Sequence, residues 1–452
     1  MKIIIAGDGK VGAELTKQLA RAGHDITIID NNQHVLDASI ERYDVSALHG
    51  NCASMDVLRE ADTAHTDLLI AATSADEINL LCCITAHTLN PKLHTIARVR
   101  NPEYAEQIFH MRDVFGLSLS VNPEKQAARE IEQLLQFPGT LKRDTFAKGR
   151  VEIVEIRVEK GSCLENVALK DFSDVVRTKV LVCSVVRGGQ SIIPDGNFEL
   201  KANDRVFITA PTENLVKLLS ALGIVQGKLK RVVLCGGGRL SIYLAHRLLS
   251  IGTNVEIIEI DRERCDLLAE LLPNATIVHG DASDTTLLDE EGISEADAVV
   301  TMTGMDELNI IISLYCKNMG VKQVVTKLGH VSNHILLEHL PLDSIISPKE
   351  LCCNTIVRYV RALENQVGAA VAMHTISDGH AEALEFRVDE TTRNCGIPLK
   401  DIRLKKGVLL SCITHKGTIE IPSGLSKYVA GDTIIVVTDK NTGINTLNDI
   451  FA

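Results

Sequence analysis

The chain has 452 residues, 45% hydrophobic but only 3% aromatic, with no tryptophan and a formal net charge of −12. That length suits roughly two to four domains, each with a core of its own, and hydrophobicity carried by Ile, Val, Leu and Ala suits parallel sheets covered by helices. The acidic balance and the shortage of stacking rings exclude nucleic acid as a partner, and no uninterrupted apolar run approaches the roughly twenty residues that insert into a bilayer.

Lys2-Ile3-Ile4-Ile5-Ala6 reads as a short buried strand that runs into the turn Gly7-Asp8-Gly9-Lys10-Val11-Gly12. Leu15, Leu19 and Ala22 then recur at helical spacing up to Gly23, and Asp25 to Ile29 forms a second strand closing on Asp30. Strand, glycine turn, helix and terminal acid are in register for a dinucleotide fold. Gly7 permits the tight turn, Gly9 lets the backbone approach a pyrophosphate, and Gly12 lets the helix pack closely on the strand. The helix N-terminus faces the phosphates with free N–H groups, and Asp30 accepts from both ribose hydroxyls, which favours NAD over NADP. The alternative is a glycine turn with no ligand. Because the first strand begins at Lys2, no leader is expected, and the chain reads as soluble and cytoplasmic.

Val35 to Arg42 reads as a helix, Val45 to Gly50 as a third strand, Asp67 to Ala72 as a fourth and His94 to Ala97 as a fifth. Thr73 and Ser74 follow the fourth strand at the carboxyl end of the sheet, where such folds place ligands. Asp76, Glu77 and Asn79 open the next helix and read first as ordinary residues favoured by the helix dipole. Arg98 and Arg100 are expected on opposite faces of an extended segment, so that one of them, Arg98, reaches the pocket as a phosphate or carboxylate clamp. A helix from Pro123 to Leu135 ends at Phe137-Pro138-Gly139, where the first domain should stop. Val151 to Val158 reads as an alternating strand with one wet face, and strands at Val180–Val186 and Val206–Ala210 complete a small α+β unit ending near Leu222. Val225 to Lys230 reads as a linker.

The chain then repeats itself. Gly236 stands to Gly7, and Glu259 to Asp30, at the same offset of 229, with Gly236-Gly237-Gly238-Arg239-Leu240-Ser241 as the turn. His49-Gly50 returns as His279-Gly280, and Thr73, Asp76, Glu77 and Asn79 return as Thr303, Asp306, Glu307 and Asn309. Such agreement means duplication. Three changes fall where a ligand would sit: Ser241 replaces the third glycine, Asp281 stands for Asn51 and Lys327 for Arg98. The second pocket is therefore either a binding site or a decayed one kept for packing. The last eighty or so residues repeat the second unit, with Leu169-Lys170-Asp171 returning as Leu399-Lys400-Asp401 and Pro194-x-Gly196 as Pro422-x-Gly424. The order is A-B-A′-B′.

A dehydrogenase needs a proton donor and a sizeable substrate domain opposite its cofactor, and the B units carry no such set; His279 and His330 read as capping or loop residues. The twelve cysteines, with no CxxC, read as reduced and mainly buried thiols. Paired nucleotide pockets without catalytic partners suggest a sensor.

The A-B-A′-B′ order, the opening from Lys2 to Leu15 with Asp30, the stretch Ala97 to Tyr104, and the Pro-x-Gly and Gly-Asp turns of the B units together resemble the RCK (regulator of potassium conductance) family. The likeness is to its tandem form, the peripheral subunit of bacterial Trk potassium uptake. It implies an α/β fold class: two Rossmann-like parallel-sheet domains, at 1–138 and 230–365, each followed by a small α+β RCK C-terminal domain, at 139–224 and 370–452. It implies a regulatory, non-enzymatic subunit at the inner face of the cell membrane, binding NAD(H), with ATP and ADP as further candidates. Its expected partners are an integral membrane potassium-translocating subunit and other copies of itself in a ring, a tetramer. Carried over by position, Gly7 to Gly12 hold the pyrophosphate, Asp30 the ribose, Thr73 and Ser74 the far side of the pocket and Arg98 the phosphates; Gly236 to Leu240 and Glu259 take the matching places. The readings kept beside it are an NAD-dependent oxidoreductase of unusual architecture and a cytosolic nucleotide sensor with a non-transport partner.

Overall fold

The structure is a computed structural model that describes residues 1–136, 140–146, 151–222, 229–329, 340–363, 370–377, 380–415, 418–439, 442–444 and 446–452. The expected break at Phe137-Pro138-Gly139, most of the linker before Lys230, and His330 lie outside the described residues.

Strands β1 (Lys2–Ala6), β2 (Asp25–Asp30), β3 (Ser46–His49), β4 (Leu68–Ala71), β5 (His94–Arg98) and β6 (Leu119–Val121) form one parallel sheet in the order 3-2-1-4-5-6. Helices α1 (Lys10–Arg21), α2 (Gln33–Ile40), α3 (Met55–Glu60), α4 (Asp76–Leu89), α5 (Pro102–Met111) and α6 (Pro123–Gln136) connect or follow these strands. Ile3, Ile5, Leu68 and Ile70 point to one face of the sheet, and Ile4, Ala6, Leu69 and Ala71 to the other; both sets are buried. That explains why the strands read as continuous apolar runs without alternation.

A first antiparallel unit follows: β7 (Thr140–Phe146), β8 (Val151–Arg157), β9 (Leu181–Arg187), β10 (Gln190–Ile192) and β11 (Arg205–Pro211), in the order 10-9-11-8-7, with helices α7 (Phe172–Val176) and α8 (Thr212–Ala221). Its hairpin turn, Gly188-Gly189, has φ of 57° and 76°, the left-handed pair that a two-residue connection between twisted strands requires. The parallel sheet then recurs as β12 (Arg231–Cys235), β13 (Asn254–Glu259), β14 (Thr276–His279), β15 (Ala298–Thr301), β16 (Gln323–Lys327) and β17 (Ser344–Ile346). Its helices are α9 (Arg239–Ser250), α10 (Arg262–Leu271), α11 (Thr285–Glu290), α12 (Asp306–Asn318) and α13 (Pro348–Leu363). The antiparallel unit recurs as β18 (Ala370–Ile376), β19 (Ala381–Arg387), β20 (Val408–His415), β21 (Thr418–Glu420) and β22 (Thr433–Asp439), with the same strand order. The duplication read from the sequence is present in all four sheets.

The two halves are interlocked. Helix α6 leaves the first sheet and packs on the second: Ala127, Ala128, Ile131, Leu134 and Leu135 are buried with Val232, Leu234, Leu244 and Leu248. In return α13 places Cys352, Cys353, Ile356, Val357 and Val360 in the core of the first sheet beside Leu15, Leu19 and Ile28. Each stripe recurs at helical spacing, so one face of each helix is apolar. Burying five such side chains stabilises the contact by on the order of 10 kcal/mol relative to leaving them in water. Arg247 of α9 pairs with Glu132 of α6, which is 8% exposed, so this buried acid of α6 is compensated.

The antiparallel units also meet. Val151, Ile153, Cys183 and Phe207 of the first share a core with Ile376, Ala383, Cys412 and Val437 of the second, and Ser184 and Ser377 hydroxyls join across it at 2.8 Å. Strand β8 therefore has no wet face. Its acids are buried, Glu152 at 3% and Glu155 at 2% exposure, and Glu155 is held by Arg205 on the neighbouring strand. The charges that suggest a solvated face in the sequence are buried, that of Glu155 against a cross-strand arginine. Of the twelve cysteines, all free, ten are buried and Cys163 and Cys395 are exposed.

Candidate nucleotide-binding clefts

The first cleft is built from the carboxyl ends of β1, β2, β4 and β5. Gly7 has φ of 93°, and a Cβ there would lie 2.8 Å from the Thr73 Cα, so only glycine lets the β1 turn touch the β4 loop. A Cβ on Gly12 would lie 1.9 Å from the Gly7 carbonyl oxygen, while one on Gly9 would meet nothing within 4 Å. The turn is closed beneath and open above, which is the cradle a pyrophosphate needs. The first bond of α1 runs from the Ala13 N–H to the Gly9 carbonyl at 2.9 Å, so the N–H groups of Lys10, Val11 and Gly12 precede the helical ladder. They face the place where phosphates would sit.

Asp30 accepts the Asp8 N–H at 2.7 Å and the Asn32 N–H at 2.9 Å, which fixes its carboxylate at the tip of β2, where ribose hydroxyls would be held. Asp8 itself turns inward. Its side chain is 1% exposed and accepts from the hydroxyls of Ser39 and Thr16, so within the turn it contributes its backbone and not its carboxylate. Burial pushes the Asp8 carboxyl up, against the lowering by Ser39 and Thr16, and Asp30 adds to the rise. An acid with a raised value in the folded state costs stability while ionised, and that cost fades as pH falls through the folded value. Asp8→Asn should therefore stabilise the chain at neutral pH by about 1 kcal/mol, with the gap between variant and parent closing in acid; thermal melts across pH check both parts.

Thr73 and Arg98 come together, but they are locked to the protein. The Thr73 hydroxyl and N–H both donate to the Asn79 side-chain oxygen, at 2.7 and 2.8 Å, and Asn79 donates onward to the Arg98 carbonyl at 2.8 Å. The Arg98 guanidinium returns to the Thr73 carbonyl at 2.5 Å. Arg100 reaches the next carbonyl, that of Ser74, at 3.0 Å. The expectation of opposite faces is thus corrected: residues two apart on an extended segment share a face, and both arginines stand at the mouth. Nε of Arg98, Nε of Arg100 and one oxygen each of Asp76 and Glu124 are buried without a partner among the described residues. Burial, with Arg100 beside it, lowers the Arg98 guanidinium, and burial raises the Glu124 carboxyl. Asp76 and Asn79, read as ordinary first-turn residues, are buried clamps: Asp76 takes the N–H groups of Arg100 and Asn101 at 2.8 and 2.7 Å. A helix-opening acid followed three residues later by Asn, directly after a strand, was the available signal.

The second cleft repeats the frame with substitutions that compensate one another. Glu259 takes the N–H groups of Gly237 and Asp261, at 2.6 and 2.9 Å. A Cβ at Gly237 would lie 2.9 Å from the Glu259 carboxylate and 2.4 Å from Leu268, so glycine at 237 is what admits the longer acid. Gly238 faces open space as Gly9 does. Ser241 occupies the third-glycine position by turning its hydroxyl onto the Gly236 carbonyl, and Gly236 opens to φ of 111°. Lys327 donates to the Thr303 carbonyl at 2.6 Å, the place of Arg98, and Asn309 bonds Thr303 and the Lys327 carbonyl as Asn79 does in the first copy. Burial lowers the Lys327 ammonium, opposed by Asp306. His279, expected in a cap or loop, is instead the last residue of β14, paired with Glu259 of β13, and its ring lies 3.1 Å from the Ile260 carbonyl.

The clefts face each other. The Tyr243 hydroxyl of α9 bonds Asn122 at 3.0 Å and the Arg100 carbonyl at 3.3 Å. Arg239, first residue of α9, acts on Glu77 and Glu124 of the first half, while Lys10 of α1 acts on Lys327 of the second. Leu240, the residue after Arg239, is buried in the core of the second sheet.

Comparison with known proteins agrees with this geometry. The TrkA-N domain family matches residues 3–115 and 232–348, and the TrkA-C domain family matches residues 153–223. The Trk system potassium uptake protein TrkA of Haemophilus influenzae is 30% identical over 458 aligned residues, covering 100% of this chain and 98% of that protein. A TrkA homolog of Archaeoglobus fulgidus is 32% identical with 100% coverage of both. Among solved structures, the RCK domain of GsuK covers 97% of this chain and 92% of its own with a TM-score of 0.64 at 17% identity. The GsuK channel bound to NAD covers 97% of this chain and 77% of its own, with a TM-score of 0.63 at 18% identity. These show the fold: two Rossmann-like sheets, each followed by an RCK C-terminal sheet. The chain belongs to the TrkA family of Trk system potassium uptake proteins.

Proposed function

We propose that this chain is the regulatory subunit of a potassium uptake system, sensing NAD(H) and adenine nucleotides and gating a membrane potassium-translocating partner, without catalysing a reaction of its own. The observation that carries the reading is the pair of glycine-turn clefts set face to face by exchanged helices. A nucleotide bound in one cleft meets groups of both halves, so its binding energy acts on the contact between them. Gly7, Gly9, Lys10, Val11 and Gly12 would hold the phosphates, Asp30 the ribose and Arg98, with Arg100, the far side; Gly236 to Leu240 and Glu259 would do the same in the second cleft, with Asp8 and Thr73 as supports. Bound there, a nucleotide supplies phosphate charge to a mouth lined by Lys10, Arg98, Arg100 and Arg239.

The names of the relatives support a Trk-type partner. Among the described residues no helix is long and apolar enough to cross a membrane; the proposed place of the chain, by the names of its relatives, is at the inner face of the membrane beneath that partner. The proposed limits of the four units are 1–138, 139–224, 230–365 and 370–452, with α6 and α13 each serving the opposite sheet, and the proposed assembly is a homo-oligomeric ring, a tetramer. The test is calorimetric titration with NADH, NAD, ATP and ADP. Asp30→Ala should weaken NADH binding at the first cleft by about thirtyfold or more, the loss of charged hydrogen bonds to two hydroxyls. Failure of all four nucleotides to bind the parent chain would overturn nucleotide sensing.

A further inference from the structure

The second cleft holds a cation that the first lacks. Arg264, on the first turn of α10, donates its Nε–H to the Gly237 carbonyl at 2.8 Å, and the N–H of the same glycine meets Glu259 at 2.6 Å. Guanidinium and ribose-binding acid thus stand on one residue of the turn. At the repeat offset the first half has Val35 in place of Arg264, and Asp8 and Ser39 in place of Gly237 and Leu268. The floor beside the acid is therefore a buried polar group in the first cleft and the Leu268 side chain in the second.

Topology decides which part of a nucleotide meets Arg264. Phosphates belong at the start of α9 and the ribose at Glu259; the base continues from the ribose on the side away from the phosphates. That side is bounded by the segment leaving β13, and α10 begins there, one residue after its N-cap Asp261. A planar guanidinium tied to the loop through one nitrogen, above an apolar floor, matches the face of an aromatic base.

We propose that Arg264 is the base-holding residue of the second cleft, stacking on the adenine ring of a nucleotide whose ribose is held by Glu259. This rests on the reading of the second cleft as a nucleotide site. The test uses the full chain with Asp30→Ala to silence the first cleft, titrated with ADP by calorimetry, alone and combined with Arg264→Ala or Arg264→Lys. Both substitutions at 264 should weaken ADP about tenfold, because lysine keeps the charge and loses the plane. Absorbance hypochromism of bound adenine should fall with them. Arg264→Lys at parental affinity would overturn the proposal in favour of a charge effect, and Arg264→Ala at parental affinity would overturn any role in binding. If the Asp30→Ala chain binds no ADP at all, the second-cleft reading falls and takes this inference with it. Thermal melting temperatures equal to that of the parent chain show that the Arg264 variants are folded.

Discussion

Gly12→Ala should abolish nucleotide binding at the first cleft and destabilise the chain by about 3 kcal/mol. Two effects oppose each other. Gly12 lies inside α1, where alanine is the better helix former by about 1 kcal/mol. Against that, the added methyl carbon would stand 1.9 Å from the Gly7 carbonyl oxygen, so one of the two must retreat by about 1 Å. Gly7 has nowhere to go, because it already lies against Thr73, and Thr73 is tied through Asn79 to β5. The helix start must therefore swing out, carrying the N–H groups of Lys10 and Val11 away from the phosphate position, and the steric term wins. Ser241→Gly in the second cleft is the matched control. There the turn has already opened to receive a side chain, so the change removes one hydrogen bond and adds backbone freedom, a cost of about 1 kcal/mol. Chemical denaturation and NADH titration of both variants check the contrast; equal effects at the two positions would show that the clefts are not differently built.

What the sequence disclosed was local. Glycines in a turn, an acid at a strand tip and strands apolar on both faces are consequences of neighbouring residues, and the 229-residue repeat made each visible twice. What stayed hidden was the identity of the surface that covers each face. The stripe of Ala127, Ala128, Ile131 and Leu135 tells that α6 buries one side, yet nothing in it says that the partner is α9, more than a hundred residues away. The acids of β8 pointed to water because charge usually does; a cross-strand arginine and a second sheet reverse the inference. The positions of Arg98 and Thr73 at the carboxyl end of the sheet were legible, but not their mutual lock, which depends on Asn79 standing between two strand ends.

Cut after Leu222, the first half should form a concentration-dependent homodimer with micromolar affinity, and Glu132→Val should tighten it at least tenfold. Without α13 the faces of Leu15, Leu19 and Ile28 lose their cover, and without the second sheet the stripe of α6 has nothing to pack on. Each copy then supplies what the other lacks. Aligned on Pro123 and Pro348, the stripe of α6 places Ala127, Ala128, Ile131, Glu132 and Leu135 where α13 has Cys352, Cys353, Ile356, Val357 and Val360. The match is imperfect in two ways. Alanines leave gaps where cysteines fit, and Glu132 would be buried in a valine's place, facing Gln18 of α1 where the intact chain offers Arg247. An uncompensated buried carboxylate costs about 3–5 kcal/mol, which is what separates a micromolar dimer from a tight one and what Glu132→Val removes. Sedimentation of the two half-chains across concentration measures it. A half-chain that stays monomeric, with a melting temperature independent of concentration, would show that α6 folds back on its own sheet once the second half is gone.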